Sequence, residues 1–188
     1  MLISPRRHMR RSGNEKMKRR LFLLRHAKSS WDDLAIPDHD RPLNKRGRKA
    51  AIAMRKFIRA AKINPDLVCV SSATRATQTL EALAPWRRPP PVEVMDELYL
   101  ASAQKIMGLA RRFPDSSRAV LVIGHNPGLQ EFALLLASGK DDADVLRMAE
   151  AFPTGAMAQF ELDRPWSQID EGSGRLTSFV APRELKSP

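Results

Sequence analysis

The chain has 188 residues, of which 43% are hydrophobic and 28% are charged, as is ordinary for one folded domain. The net charge of +11 would suggest nucleic-acid binding if it were spread over that domain. Instead, residues 1–20 contain eight Lys and Arg residues and one acid, or +7, whereas the remaining residues contain 24 and 20, or +4. The expected domain is only mildly basic, which argues against nucleic acid as its partner.

Residues 1–18 are predicted to be a basic tail, and residues 19–188 a single domain. The tail has no apolar block, so it resembles neither a Sec-type signal peptide nor a membrane span. A disordered arm, a transit-like segment and a translation artefact all fit its composition. Met17 would be a natural start before the first strand, so we predict that residues 1–16 are dispensable. We further predict a cytoplasmic protein with no membrane partner; the sequence leaves its oligomeric state unknown.

Strands and helices alternate along the rest of the chain. Short apolar runs predict strands at 21–24, 67–70, 92–94, 119–123, 156–162 and 176–180. Helical spacing of apolar residues predicts helices at 45–62, from 74 to before Pro85, at 103–113, at 127–136 and at 141–149, the first capped by Asn44. This order indicates an α/β fold, a three-layer α/β/α sandwich with a mostly parallel sheet. The last two strands could pair antiparallel at an edge.

Basic side chains follow three of these apolar strands. The first strand runs into Arg25 and His26, the second is followed by Arg75, and the fourth by His125. If the strands are parallel neighbours, their carboxyl ends meet where open α/β sheets bind ligands. Two guanidinium and two imidazole groups repel one another when charged, unless an anion lies between them. The arrangement therefore predicts a site for a phosphate-like dianion.

The remaining titratable side chains give no pattern typical of metal or thiol chemistry. Cys69, the single cysteine, excludes an internal disulfide and fits a reducing compartment. Because Cys69 lies in an apolar strand, we expect a buried core residue and not a nucleophile. His8 lies in the tail, and His39 lies in a loop with no second imidazole nearby in sequence. We therefore predict no metal and no cofactor.

With these residues in hand, the chain resembles the histidine phosphatase superfamily, the phosphoglycerate mutase-like fold, and in particular its small SixA-type phosphohistidine phosphatases. The resemblance spans about residues 20–180. It is carried by the segments 24–29 (LRHAKS), 40–43 (DRPL) with Arg46 and Gly47, 71–79 (SSATRATQT), 124–127 (GHNP) and 152–156 (FPTGA). An Arg-His pair alone is a weak signal, but this ordered set is specific.

The resemblance implies roles for particular residues. His26 would be the nucleophile that accepts the phosphoryl group, and Arg25, Arg75 and His125 would surround it as the anion pocket. Ser29 and Asn126 would be further substrate contacts. Glu97 would be the general acid, with Asp96 as second choice, although an Asp-Glu pair after a strand is also common at the start of a helix.

Two positions depart from the wider superfamily pattern. Ala27 replaces the glycine that often follows the Arg-His pair, which is a small change within the SixA-like pattern. Asp32 replaces an asparagine that mutase-like members often carry. A carboxylate beside a phosphate would repel it, so we expect Asp32 to face away from the site or to meet a basic part of the substrate.

The predicted enzyme is a metal-independent phosphatase that works through a phospho-His26 intermediate. The predicted substrate is phosphohistidine on a protein, for example a histidine phosphotransfer domain. The imidazole leaving group of a phosphohistidine substrate can be protonated before reaction. A phosphate ester instead releases an alkoxide, and a general acid typically speeds that reaction by about 10²–10⁴-fold. Alternatives are a phosphatase of a small phosphorylated metabolite and a non-catalytic phosphate-binding module.

Overall fold

The computed structural model describes residues 18–185, in which five helices flank a seven-stranded sheet. The strands are β1 (Arg19–Arg25), β2 (Leu67–Ser71), β3 (Val92–Met95), β4 (Ala119–Gly124), β5 (Ala137–Ser138), β6 (Met157–Leu162) and β7 (Gly174–Val180). The helices are α1 (Lys45–Ala60), α2 (Thr74–Leu83), α3 (Ala103–Ala110), α4 (Gly128–Leu136) and α5 (Ala143–Glu150). Within this part of the chain, no helix is long and apolar enough to cross a membrane. Residues 1–17, and with them almost all of the predicted tail, lie outside the described residues.

The sheet has the strand order β3-β2-β4-β1-β6-β7-β5. Its first four strands are mutually parallel; β6 is antiparallel to β1, and β7 is antiparallel to β6. The predicted α/β sandwich and the antiparallel pairing of the last two strands are confirmed. However, β6 also pairs with β1, and the two-residue strand β5, parallel to β7, forms the edge. Two residues are too few to give a periodic pattern, so the sequence did not predict β5.

Alternate residues of the central strands face opposite helical layers, which creates two cores. Leu21 and Leu23 pack with the cluster that includes α3, α4 and α5. Phe22 and Leu24 pack with the cluster that includes α1 and α2. All four are at most 1% exposed, as expected for a strand covered on both faces. Cys69 is buried in β2, and burial raises the pKa of its thiol to about 12, so the predicted core role is confirmed.

The first turn of α1 is held against the segment that follows β1. The Asn44 side chain accepts a hydrogen bond from the Gly47 backbone N–H (2.8 Å), which confirms the predicted N-cap. A Cβ atom at Gly47 would lie 2.1 Å from the carbonyl oxygen of Lys28, so only glycine permits this approach. The helix ends at Ala60, before the predicted 62, because Lys62 has a left-handed backbone (φ 54°). The close approach of Gly47 to Lys28 holds the loop that follows Arg25 and His26.

Candidate active site

Strand register places the two histidines side by side. Arg25, the last residue of β1, pairs with Gly124, the last residue of the parallel neighbour β4. His26 and His125 therefore follow two adjacent strand ends, and their ring centroids lie 4.8 Å apart. Arg75 reaches the same point from the first turn of α2, which follows β2. The four side chains border one cavity of about 500 Å³, whose lining residues are Arg25, His26, Lys28, Ser29, Trp31, Asp38, Arg75, Leu100, His125, Asn126, Pro153 and Thr154.

A backbone carbonyl selects the tautomer of His26. The His26 Nδ1 atom lies 2.7 Å from the carbonyl oxygen of Ala27. Because a carbonyl oxygen only accepts hydrogen bonds, Nδ1 must carry the proton. In the neutral ring the lone pair is then on Nε2, the nitrogen required for nucleophilic attack. The local backbone thus prepares one particular nitrogen of His26 for reaction.

Burial and nearby cations keep both imidazoles neutral. The pKa of His26 is lowered to about 4, mainly by burial and also by the positive charges of Arg75 and Arg25. Burial likewise lowers the pKa of His125 to about 3, with additional contributions from His26, Arg75 and Arg25. The hydrogen bond to Ala27 and the charge of Asp38 act in the opposite direction on His26 but are outweighed. At neutral pH the cavity therefore contains a neutral nucleophile between two guanidinium groups.

The two arginines are oriented by backbone and carboxylate oxygens. Arg25 Nη1 donates to the carbonyl oxygen of Phe152 (2.8 Å), while its Nε is buried and has no partner within residues 18–185. Arg75, 4% exposed, donates to both the carbonyl oxygen and the carboxylate of Asp38, the latter at 2.9 Å. Tyr99 also donates to that carboxylate (2.8 Å). Such fixed guanidinium groups suit an oxyanion, since they offer several donors in a rigid plane.

Two further contacts hold the nucleophile segment in place. The hydroxyl oxygen of Thr79 accepts from the Ala27 N–H (2.9 Å) and the hydroxyl donates to the Arg75 carbonyl (2.6 Å). This single side chain therefore joins the His26 segment to the helix that carries Arg75. On the other side, the backbone N–H of Gly155 donates to the carbonyl oxygens of Arg25 and His26 (3.0 and 3.1 Å). The geometry of the site depends on these connections as much as on the charged groups.

The residues predicted as further substrate contacts also border the cavity. Ser29 lines it, and its carbonyl oxygen accepts from the Asn44 side chain (3.1 Å). Asn126 lines it with an amide that donates to the Phe152 carbonyl (3.1 Å). Asp32 does not line it; its carboxylate accepts from the Ser30 hydroxyl (2.7 Å). Ser29 and Asn126 are thus positioned to contact a bound substrate, whereas Asp32 lies outside the cavity lining.

The structure does not bring Glu97 to the cavity, contrary to our expectation of a general acid there. After β3 the chain forms a short 3-10 turn, Asp96–Leu98, that buries Leu98 and leaves Glu97 at the surface. Its carboxylate pairs with Arg112 at 3.3 Å, and half of its side chain is exposed. Asp96, the second choice, does not line the cavity either. Both are better explained as surface residues at the start of this turn.

Sequence reasoning missed the acid that the cavity does contain. Asp38 belongs to a 3-10 turn in the loop after β1, a position that no periodic pattern marks. Burial raises the pKa of its carboxyl, but hydrogen bonds from Tyr99 and Arg75 outweigh this and lower the pKa below its ordinary value. Asp38 is therefore ionised at neutral pH and has no proton to donate. Tyr99, the single tyrosine, also packs edge-on against His125 (5.5 Å).

Comparison with known proteins identifies the family. Residues 21–113 match the model of the histidine phosphatase superfamily, branch 1. The chain is 36% identical over 162 residues to an uncharacterized protein of Mycobacterium tuberculosis, and the aligned region covers 85% of this chain and all of that relative. The chain belongs to the histidine phosphatase superfamily. It is also 27% identical over 169 residues to the phosphohistidine phosphatase SixA of Escherichia coli, covering 88% of this chain and 96% of SixA.

Solved structures of the superfamily place the chain near the SixA type. The putative phosphohistidine phosphatase SixA of Nakamurella multipartitia superposes with a TM-score of 0.77 at 28% identity, covering 88% of this chain and 96% of that one. The protein histidine phosphatase SixA complexed with tungstate gives a TM-score of 0.73 at 26% identity, covering 89% and 99%. These similarities show the phosphoglycerate mutase-like fold and support phosphatase activity. Within residues 18–185, no group of three or more His, Cys, Asp or Glu side chains is placed to hold a metal ion.

Proposed function

We propose that this protein is a metal-independent phosphatase that removes the phosphoryl group from phosphohistidine of a protein through a phospho-His26 intermediate. The observation that carries the proposal is the state of His26. Its Nδ1 proton is bound to the Ala27 carbonyl, its pKa is lowered to about 4, and it lies beside two arginines. These features give a neutral ring with a free Nε2 in a site that attracts an anion.

The reaction has two phosphoryl transfers. In the first, His26 Nε2 forms a bond to phosphorus while the bond from phosphorus to the substrate imidazole breaks, and the released imidazole carries a proton. In the second, a water oxygen bonds to phosphorus, the bond to Nε2 breaks, and inorganic phosphate leaves. Arg25 and Arg75 neutralise the phosphoryl oxygens in both steps, the role that a metal ion has in other phosphatases. His125, neutral and 2% exposed, completes the wall beside His26.

The acid content of the cavity favours phosphohistidine over a phosphate ester. An ester releases an alkoxide, which a general acid must protonate, typically for about 10²–10⁴-fold in rate. Among the described residues that line the cavity, the only carboxyl belongs to Asp38, which is held ionised by Arg75 and Tyr99. An imidazole leaving group takes its proton before reaction and does not need such an acid. The similarity to proteins named SixA supports the same choice.

The test is transfer of radiolabelled phosphoryl groups. Wild-type protein mixed with a ³²P-labelled histidine phosphotransfer domain should release phosphate and yield an acid-labile, base-stable phosphoenzyme when quenched early. His26→Ala should lose both the label and many orders of magnitude in turnover, while circular dichroism shows that it remains folded. Unchanged turnover in that variant would eliminate the nucleophile. Labelling and turnover with small phosphate esters only would overturn the substrate class and favour a metabolite phosphatase.

Metal independence needs its own measurement. Turnover after exhaustive treatment with a chelator should equal that of the untreated protein, and added Mg²⁺ or Zn²⁺ should not increase it. A loss that one of these ions restores would contradict the proposed role of the two arginines.

A further inference from the structure

Two large hydrophobic side chains that line the catalytic cavity are exposed, and a third exposed one lies in the same loop as one of them. Trp31 is 62% exposed and Leu100 57%, and both line the cavity together with His26. Leu34 is 76% exposed and follows Trp31 by three residues in the same loop. Only seven large hydrophobic residues in the described part of the chain are exposed, and two of them line this one cavity, so their position needs an explanation. We call these three residues the apolar rim.

Trp31 is held in its exposed position. The guanidinium of Arg41 lies 3.7 Å from the centre of the indole, and Arg41 itself is only 9% exposed. A cation stacked at this distance restricts the ring without covering both of its faces. The other face of the indole therefore remains available for contact.

Leu100 has an unfavourable backbone conformation that is not offset by burial of its side chain. Its φ of +47° lies in the left-handed region, which residues with a Cβ atom rarely adopt because of steric repulsion. Because more than half of its side chain is exposed, burial within this chain gives little in return. The preceding residue, Tyr99, is fixed by Asp38 and His125, which anchors Leu100 to the site. Strained residues of this kind concentrate at functional positions.

A free phosphate or a small phosphate ester would gain little from such a rim, because its charged group fills the cavity among Arg25, His26 and Arg75. Only a larger carrier can cover the exposed parts of the apolar side chains while its phosphoryl group is in the cavity. The exposed Lys28, which also lines the cavity, adds a positive charge that suits an acidic group on that carrier. Apolar contacts next to a cation match the surface of a folded protein.

Resting on the proposed function, we propose that Trp31, Leu34 and Leu100 dock the protein that carries the phosphohistidine. Their partner is a surface with apolar side chains beside the phosphorylated histidine and at least one acid facing Lys28. The cavity then recognises the phosphoryl group, and the apolar rim recognises the protein that presents it. Selectivity for proteins over small phosphohistidine compounds comes from the rim.

The experiment compares two substrates in matched variants. The substrates are a phosphorylated histidine phosphotransfer domain and 1-phosphoimidazole, which is too small to extend out of the cavity over the exposed apolar rim. The variants are Leu34→Ala, the double variant Leu34→Ala/Leu100→Ala, and the control Leu146→Ala. Leu146 lies on α5 outside the cavity lining and has the same exposure as Leu100, 57%. The measured quantity is kcat/KM for each substrate, and its ratio between them.

We expect Leu34→Ala to lower the ratio of protein to small-substrate kcat/KM about three- to tenfold and the double variant to lower it further, mainly through KM. Leu146→Ala should leave the ratio unchanged. A double variant that behaves like this control, or one that loses the same factor with both substrates, would overturn the docking role. If wild-type protein turns over esters but neither phosphohistidine substrate, the proposed function fails instead, so the two failures are distinguishable.

Discussion

The protonation state of His26 can be measured directly and decides whether this site can attack phosphorus. An ordinary histidine with a pKa near 6.5 is only about 9% neutral at pH 5.5. With its pKa lowered to about 4, His26 should be about 97% neutral at that pH. The cause is mainly burial of the ring, with the charges of Arg75 and Arg25 acting in the same direction. The nucleophile is therefore ready over the whole range from pH 5.5 to 8.

Nuclear magnetic resonance of ¹⁵N- and ¹³C-labelled histidines provides the assay. The ring signal of His26, assigned by its loss in His26→Ala, should keep its neutral chemical shift down to pH 5.5 and titrate only near pH 4. Its ¹⁵N shifts should show the proton on Nδ1, because the Ala27 carbonyl accepts from that nitrogen. A midpoint near pH 6.5, or a proton on Nε2, would refute the reasoning on the nucleophile.

The same shifts predict how stability depends on pH. The pKa values of His26 and His125 are lowered on folding, so between about pH 4 and 6.5 the unfolded chain binds protons that the folded chain does not. The free energy of unfolding is therefore highest above about pH 6.5 and decreases as the pH falls, because protons then stabilise the unfolded chain. Urea unfolding should show a loss on the order of 1 kcal/mol per histidine from pH 6.5 to 5.5. His26→Ala should reduce this pH dependence; an unchanged slope would contradict it.

Substitutions at three further positions test two connections around the nucleophile and the surface role of Glu97. Thr79→Val should lower kcat and reduce the free energy of unfolding in urea by about 1–3 kcal/mol, because the buried Ala27 N–H loses its acceptor. Thr79→Ser should keep both quantities near their wild-type values, and equal behaviour of the two variants would refute the role of the hydroxyl. Gly47→Ala should lower kcat and the melting temperature, because its Cβ would clash with the Lys28 carbonyl; wild-type values would show that the contact is not needed. Glu97→Gln should keep kcat within about twofold and change the free energy of unfolding by at most about 1 kcal/mol, as expected for a surface ion pair. A large fall in kcat would instead indicate that Glu97 is the general acid.

The local pattern of the sequence was sufficient for most of the fold and for the two arginines and two histidines of the site. Apolar runs such as Leu21–Leu24 mark buried strands, and the basic residues after them need only parallel pairing to converge. Asn44 was recognisable as a helix cap from its position alone, because capping depends on contacts within one turn. What these features share is that their physical cause lies within a few residues.

Tertiary structure decided the rest, because those features join distant residues. Asp38 meets Arg75 across 37 positions, and Thr79 meets Ala27 across 52, so no local pattern reveals either pair. The turn after β3 directs Glu97 to the surface because Leu98 is buried, an outcome that depends on the core below it. The amino-acid sequence thus determined which chemistry is present at the strand ends, and long-range packing determined which carboxyl is in the cavity and which side chains surround its mouth.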